Sequence, residues 1–482
     1  MGQLIYPQQQ KGPRGHIIQN NLYLIFPLRI IFNNGSPNLT MARFRFWLKL
    51  TLAFIIRFKA LLLLAIVGGI LGFIIINTLT PILVLRKTHH IGISGRYRPD
   101  DLPPFITNKI GQGLTGLDEE GHPTPSLAES WETSDDGKIW KFKLKEGLYW
   151  QDGASVTSQS INYNFEDVEL ETPDDYTVIF KLQNAFSPFP SVVSRPTFKK
   201  GLIGTGAWTV DKLEVTGGYV QRVVLEDDNS QKYVYRFYPS EDAAKTAFKL
   251  GHINSLIDII DPEPFVNWPT VDVKAQDNNH RYVAVFLNNE NELFRGTDRK
   301  SLRQGLSYAI NKEALGGQRA ISPISPNSWA YNAQVKAYEY DTARASDLIG
   351  DLSGENTINI TLSATPALLQ VADRIAKDWN AVGVNTTVQV SSSIPADFQA
   401  FMAIYNIPDD PDQYSTWHST QIGGNNFSNF QNPRIDKLLE DGRLELNEAE
   451  RKKIYLDFQR FLLEEAPAIF LYHPVSYTIT RK

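Results

Sequence analysis

The sequence predicts an α/β fold preceded by one transmembrane helix, and three observations support this prediction. The chain has 482 residues, 42% hydrophobic and 21% charged, the balance of an ordinary folded protein with two or three domains. A strand over residues 358–362, an amphipathic helix and a strand over residues 384–390 follow each other, which is the order of a β-α-β unit with parallel strands. Residues 60–85 contain no charged side chain and are long enough to cross a hydrocarbon core of about 30 Å as a helix.

Residues 125–165 contain the clearest local pattern of the chain. Residues 139–145 read IWKFKLK, in which apolar and lysine side chains alternate with the two-residue period of a half-buried strand. Asp136-Gly137 precedes this strand, and an Asp-Gly pair tolerates the positive φ that a tight hairpin turn needs. We therefore predict a β-hairpin here.

The same stretch resembles a known family. Residues 125–157 read P-x-LAESWE…DGK-x-W-x-FKL-x-EG-x-x-W-x-DG-x-x-VT, which is similar to the signature of extracellular solute-binding proteins of family 5. These are the oligopeptide-, dipeptide- and nickel-binding subunits of ABC importers. LRQGLSYAINKEAL at residues 302–315 resembles a second family segment, and the likeness extends over residues 114–480. The resemblance implies a two-lobed periplasmic-binding-protein-like fold of type II that clasps a ligand, and a binding protein rather than an enzyme.

Carried onto this sequence, the resemblance implies lobe I over residues 86–287, lobe II over residues 288–465 and a return to lobe I over residues 466–482. The strands at residues 283–288 and 469–472 would then cross between the lobes. We expect these strands to act as the hinge when the lobes close on a ligand.

Residues 60–85 are predicted to be an uncleaved signal anchor. Basic side chains precede this stretch, at Arg43, Arg45, Lys49, Arg57 and Lys59, and they favour a cytoplasmic N-terminus. The body would then lie on the extracytoplasmic side of the cell membrane as part of a single-pass protein, although Arg86 and Lys87 weaken the charge asymmetry. A cleaved signal peptide is the alternative, disfavoured because the apolar run is long and no A-x-A site follows it.

Residues 1–59 are assigned to a cytoplasmic N-terminal segment. The first 40 residues are rich in Gln, Asn and Pro without a clean period. They are either a disordered tail, an upstream extension, or a short cytoplasmic or interfacial segment.

The composition argues against several classes of function. There are 0 cysteines, which excludes disulfides, thiol catalysis, cysteine-based zinc sites and a lipidated cysteine anchor. A net charge of −5 argues against nucleic acid as a partner. The sequence contains no G-x-S-x-G, H-E-x-x-H or P-loop motif, so we predict no catalytic residue, no metal site and no cofactor.

The candidate ligand-binding residues are carried over from the resemblance. Residues 110–117 occupy the place of the family's first cleft-lining segment, residues 204–208 resemble a "GTGPY" turn, and residues 404–412 resemble a "W-x-x-D-x-x-DPD" loop. The residues named on these three segments are Gln112, Gly113, Leu114, Thr205, Gly206, Tyr405, Asn406, Ile407, Asp409 and Asp410.

The last loop raises a question about ligand recognition. In peptide-binding relatives its first aspartate pairs with the free amine of the peptide, and the Asp-Pro-Asp register puts Ile407 at that position. Either Asp409 has taken over, or the ligand lacks a cation at that end. A third reading is that the register slips and Asp409 or Asp410 is the usual partner.

The predicted function is that of a membrane-anchored, extracellular substrate-binding protein of an ABC transporter. It would bind peptides or peptide-like solutes between its lobes and deliver them to permease and ATPase subunits. A binding ectodomain for sensing or scaffolding, without transport, is the alternative, and a surface hydrolase is a third reading.

Overall fold

A computed structural model describes residues 39–84, 88–353 and 357–482, and it describes side chains over residues 45–74, 88–350 and 357–482. The predictions for residues 1–38 and for residues 85–87 lie outside the described residues. The chain divides into two compact units, Met1–Ile82 and Leu83–Lys482.

The first unit contains one long helix, α1 (Leu39–Val84), of 46 residues. Within it, Arg45–Ile74 is long and apolar enough to cross a membrane by length and composition, and none of this stretch is buried. Phe58 departs from helical geometry, with φ −111° and ψ 19°. The predicted apolar helix is therefore present, and the helix begins well before residue 60.

The second unit contains both strands and helices. Up to residue 277 the elements are β1 (Thr88–Ser94), α2 (Pro104–Ile110), β2 (Thr115–Leu117), β3 (Pro123–Pro125), β4 (Ala128–Ser134), β5 (Ile139–Leu144), β6 (Val168–Asp174), β7 (Thr177–Leu182), α3 (Phe189–Val192), β8 (Trp208–Thr216), β9 (Tyr219–Asp227), β10 (Lys232–Tyr238), α4 (Glu241–Lys249), β11 (Ser255–Ile259) and β12 (Val271–Asp277). The remaining elements are β13 (Arg281–Leu287), α5 (Lys300–Ala309), β14 (Gln318–Arg319), α6 (Thr342–Ser353), β15 (Ile358–Ala364), α7 (Leu369–Ala381), β16 (Val384–Val390), β17 (Ala400–Asn406), α8 (Tyr414–Trp417), α9 (Pro433–Leu444), α10 (Glu448–Glu465), β18 (Ala468–His473) and β19 (Val475–Arg481).

Lobe I is built on a seven-stranded sheet with the order β12-β19-β11-β1-β10-β9-β8, and a four-stranded sheet, β4-β5-β7-β6, is added to it. In β5 the side chains of Trp140, Phe142 and Leu144 are buried while Lys141 and Lys143 are exposed, as the alternation predicted. The turn before β5 has positive φ at all three of its residues, 135–137, because the chain reverses there.

Lobe II is built on a six-stranded sheet with the order β14-β18-β13-β17-β15-β16. Strands β15 and β16 are parallel, with α7 between them, which confirms the predicted β-α-β unit. Trp379 of α7 is fully buried in the same core as Ile360 and Leu362 of β15. The indole N–H of Trp379 donates to the carbonyl oxygen of Leu306, 3.0 Å away, which ties α7 to α5.

The boundary between the lobes differs from the one read from the sequence. Strand β13 pairs with β17 from Arg281 to Leu287, and β18 pairs with β13, so both strands belong to the sheet of lobe II. Strand β19 pairs with β11 and β12 of lobe I. The chain therefore crosses between the lobes at residues 278–280 and at Pro474. The strands at 283–288 and 469–472 lie next to the crossings, within lobe II.

Candidate functional site

A cavity of about 1490 Å³ lies between the two lobes. Lobe I contributes most of the lining, including one segment around Gln112–Gly121 and one around Val192–Ile203. Lobe II contributes the loops at Ser325–Ser328 and at Pro408–Asp409, and His280 of the crossing segment lines it as well. Because residues from both lobes face the same space, the cavity is a cleft between the lobes.

Backbone contacts fix the wall of the cleft at Gln112 and Gly113. The carbonyl oxygen of Gln112 accepts from the backbone N–H of Thr197 at 3.0 Å, and that of Gly113 accepts from the N–H of Leu127 at 3.1 Å. A Cβ atom on Gly113 would lie 2.4 Å from the carbonyl oxygen of Ser194. Only glycine allows this approach, so the two wall segments of lobe I pack directly against each other.

Tyr163, which also lines the cavity, connects the same two segments. Its hydroxyl accepts from the backbone N–H of Leu114 at 2.9 Å and donates to the carbonyl oxygen of Val193 at 2.7 Å. Burial raises the pKa of Tyr163, so the phenol stays neutral and keeps both roles. Leu114 itself is fully buried in the core of lobe I, and its side chain packs there rather than in the cleft.

The loop with the Asp-Pro-Asp motif presents one carboxylate to the cleft. Asp409 lines the cavity with a side chain that is 62% exposed, and its Oδ1 lies 3.7 Å from Nδ1 of His280. Ile407 is 7% exposed in the core of lobe II, and its backbone N–H donates to the carbonyl oxygen of His280 at 2.8 Å. Ile407 thus carries a packed apolar side chain that offers no charge to the cleft.

Asp410 has another partner. Its Oδ1 and Oδ2 accept from Nη2 and Nη1 of Arg451, at 2.5 and 3.0 Å, and the two side chains are 12% and 8% exposed. Oδ2 also accepts from the hydroxyl of Ser191 in lobe I at 3.3 Å. This bidentate pair anchors the loop to α10.

The remaining candidates lie around the cleft without lining the cavity. The Thr205 hydroxyl lies 3.5 Å from Oε1 of Gln112, and a Cβ on Gly206 would lie 2.3 Å from the carbonyl oxygen of Lys109. The Tyr405 hydroxyl bonds the hydroxyl of Thr416, and Oδ1 of Asn406 accepts from Nε of Arg281. The structure thus brings Gln112, Gly113 and Asp409 to one cavity, and the other candidates lie outside its lining.

Charged groups of both signs line the cleft. Asp118 begins a turn whose backbone N–H groups, that of His122 first and that of Glu120 next, lower the pKa of its carboxyl. Asp152 accepts from Nζ of Lys199 at 2.7 Å, which lowers the pKa of Asp152. Arg195 is exposed on the same wall as Gln112. The wall of the cleft in lobe I therefore carries both acidic and basic side chains.

Several contacts join the lobes beside the cleft. The backbone N–H of Trp329 donates to the carbonyl oxygen of Glu120 at 3.1 Å, and the ring of His122 stacks on the indole of Trp329 at 6.0 Å. Nε2 of His122 lies 3.4 Å from Oε1 of Glu448. These contacts connect the two lobes at one side of the cleft.

The sequence did not single out several lining residues. Arg195, His280 and Asn327 face the cavity, but they lie in loops and in a crossing segment that have no periodic pattern. The position of His280 directly before the strand β13 is the one signal that could have identified it.

Two sheets, two crossing segments and a cavity between the lobes define a two-lobed binding protein. The family model for bacterial extracellular solute-binding proteins, family 5, matches residues 122–426. This match covers more than half of the chain, so the protein belongs to that family. Proteins of this family bind solutes outside the cytoplasm and are not enzymes. The resemblance read from the sequence and the predicted fold class are confirmed.

The chain is similar to oligopeptide-binding protein AppA of Bacillus subtilis, with 24% identity over 468 residues that cover 79% of this chain and 84% of the relative. The structure of that AppA in complex with a nonapeptide matches with a TM-score of 0.64 at 22% identity, covering 82% of this chain and 95% of AppA.

Two further structures share the fold. NikZ of Campylobacter jejuni, in complex with Ni(L-His), matches with a TM-score of 0.68 at 21% identity, covering 83% of this chain and 94% of NikZ. The ABC transporter substrate-binding protein CtaP of Listeria monocytogenes matches with a TM-score of 0.68 at 22% identity, covering 82% of this chain and 94% of CtaP.

Proposed function

We propose that this chain is the membrane-anchored substrate-binding protein of an ABC transporter and that it delivers peptides or peptide-like solutes to permease and ATPase subunits. The observation that carries the proposal is the cavity of about 1490 Å³ lined from both lobes. Hinge closure around a solute is the way in which such proteins bind. The peptide relatives, AppA above all, support peptides over other solutes.

We further propose that Asp409 is the partner of a cationic group on the ligand. Ile407 has no charge to offer, and Asp410 is committed to Arg451. Asp409 is the acid of this loop that is exposed to the cavity. A ligand ammonium placed against Asp409 would be partly solvated. Loss of this ion pair should therefore weaken binding without abolishing it.

Mass spectrometry of small molecules released from the purified chain tests the proposal. The released compound, and synthetic peptides with free and N-acetylated termini, are then compared by thermal shift. At 100 times its dissociation constant a ligand adds about 2.7 kcal/mol of stability. We expect Asp409→Asn to reduce the preference for the free amine, and Asp397→Asn, at an exposed position outside the cavity lining, to leave it unchanged. If no released compound or peptide stabilises the chain, the proposed function is wrong.

We propose that residues 60–84, the apolar half of α1, hold the body on the extracytoplasmic face of the membrane. These residues coincide with the predicted anchor at residues 60–85, except for residue 85. Residues 60–84 are helical and contain no charge. Protease added to intact cells should digest the body and leave a short membrane-bound fragment. Release of the intact body into the medium would show instead that the segment is a cleaved signal.

A further inference from the structure

The helix α1 is longer than a membrane-spanning helix needs to be, and its two halves differ in charge. Its 46 residues extend over about 69 Å, more than twice a hydrocarbon core of about 30 Å. Residues 60–84 contain no charged side chain and reach about 37 Å by themselves. Residues 45–59, here called the basic–aromatic segment, carry the four cations Arg45, Lys49, Arg57 and Lys59.

The positions of the charges decide which half crosses the membrane. If residues 45–74 were the span, Arg57 and Lys59 would lie at the middle of the bilayer, where cations are strongly disfavoured. If residues 60–84 are the span, all four cations fall outside the hydrocarbon core. The departure from helical geometry at Phe58 lies at the junction between these two halves.

The basic–aromatic segment is nevertheless too apolar to face water. Phe46, Trp47 and Phe54 are exposed to 62%, 61% and 57% on the helix. The hydroxyl of Thr51 donates to the carbonyl oxygens of Trp47 and Leu48, at 2.9 and 3.0 Å, so this polar side chain is satisfied within the helix. Aromatic and aliphatic side chains interspersed with Arg and Lys are typical of a helix in the membrane interface.

The cations of this segment have no carboxylate near them in the sequence. The first acidic residue of the chain is Asp100, beyond the uncharged half of α1. The helix α1 therefore offers these cations no carboxylate of its own. We propose that the basic–aromatic segment lies in the inner interface of the membrane and binds anionic phospholipid headgroups. This inference depends on the orientation proposed above, which puts the segment at the cytoplasmic leaflet, where anionic lipids attract basic residues.

Because the chain has no cysteine, single spin labels can report the depth of each part of the full chain. Labels would be attached through Leu52→Cys in the basic–aromatic segment, Leu63→Cys in the uncharged half and Thr216→Cys in the body. The chain is reconstituted in nanodiscs of phosphatidylcholine with phosphatidylglycerol, and the accessibility of each label to oxygen and to a water-soluble nickel complex is compared. We expect headgroup depth at Leu52→Cys, hydrocarbon depth at Leu63→Cys and full water accessibility at Thr216→Cys.

Lipid binding is measured as the amount of phosphatidylglycerol that the chain retains after purification. Replacing all four cations by glutamine should reduce this retention, by about fivefold for each cation at low salt. Arg45→Lys with Arg57→Lys keeps the charge and should keep the lipid, which separates charge from helix folding. Arg96→Gln with Arg98→Gln removes two exposed cations from the body and should change nothing.

Hydrocarbon depth at Leu52→Cys, water accessibility at Leu52→Cys, or unchanged retention in the four-cation variant would each overturn the proposal. The thermal shift with peptides is a separate readout. It reports whether the proposed function of the body fails, independently of the lipid.

Discussion

The buried pair of Arg451 and Asp410 should be among the most sensitive points of lobe II. The guanidinium binds both carboxylate oxygens, and its Nε donates to the carbonyl oxygen of Gly442 at 2.8 Å. Burial disfavours the charged form of Arg451 and by itself would lower its pKa. The neighbouring carboxylate of Asp410 has the opposite effect, and the pKa of Arg451 is raised above its ordinary value. Both side chains are almost fully withdrawn from water, so neither charge can be solvated when its partner is removed.

Arg451→Met leaves the carboxylate of Asp410 buried without a counter-charge. We expect the free energy of unfolding to fall by about 3–5 kcal/mol, the usual cost of breaking one side of a buried pair. The double variant Arg451→Met, Asp410→Asn should lose less than the sum of the single variants, because it leaves no uncompensated charge. The assay is urea unfolding of the full chain in detergent, followed by tryptophan fluorescence.

The matched control lies on the same helix. Arg460 pairs with Asp457 at 2.9 Å, but these side chains are 60% and 53% exposed, so Arg460→Met should cost less than about 1 kcal/mol. The reasoning is refuted if Arg451→Met costs no more than Arg460→Met, or if the single and double variants are additive. Peptide affinity should also fall in Arg451→Met, since the loop that carries Asp409 loses its anchor.

Three further results are expected. Burial lowers the pKa of Lys312 to about 7, and between that value and its ordinary value only the unfolded chain binds the proton. Stability should therefore rise with pH above 7, and between pH 7 and 9 the unfolding free energy of wild type should gain about 2 kcal/mol relative to Lys312→Met, measured by urea unfolding; an equal pH dependence would contradict this. Gly113→Ala should cost about 1–3 kcal/mol in the same assay and weaken peptide binding, since the new Cβ meets the Ser194 carbonyl oxygen, whereas Gly424→Ala should cost less. Ligand should reduce the radius of gyration in small-angle scattering by closure about residues 278–280 and Pro474, and an unchanged radius would argue against closure.

Local patterns made much of the fold predictable. The alternation in β5 and the strand–helix–strand order of β15, α7 and β16 report which side chains must be buried, and each depends on neighbours close in sequence. The lobe boundary depends instead on which sheet a strand joins. β13 and β18 are both buried strands, and they pair with each other although more than 180 residues separate them in the sequence. The periodicity within each strand does not indicate which partner it pairs with.

The site was predictable only in part for the same reason. The family resemblance named Gln112, Gly113 and Asp409 among the candidate residues, and these three residues line the cavity. The partner of Asp410 lies 41 residues away on α10, and the direction of Leu114 is set by Tyr163 and the lobe I core. Such long-range contacts, rather than the residue types, decide which candidates face the cleft.

The central claim is that a solute binds between the two lobes, and hydrogen–deuterium exchange with the released compound tests it most directly. Exchange is measured on the full chain with and without the compound. The account predicts simultaneous protection of residues 111–121 and 192–200 of lobe I and of residues 325–328 and 408–409 of lobe II, which contribute to the lining of one cavity. Protection confined to a single lobe, or located outside these four segments, would contradict it.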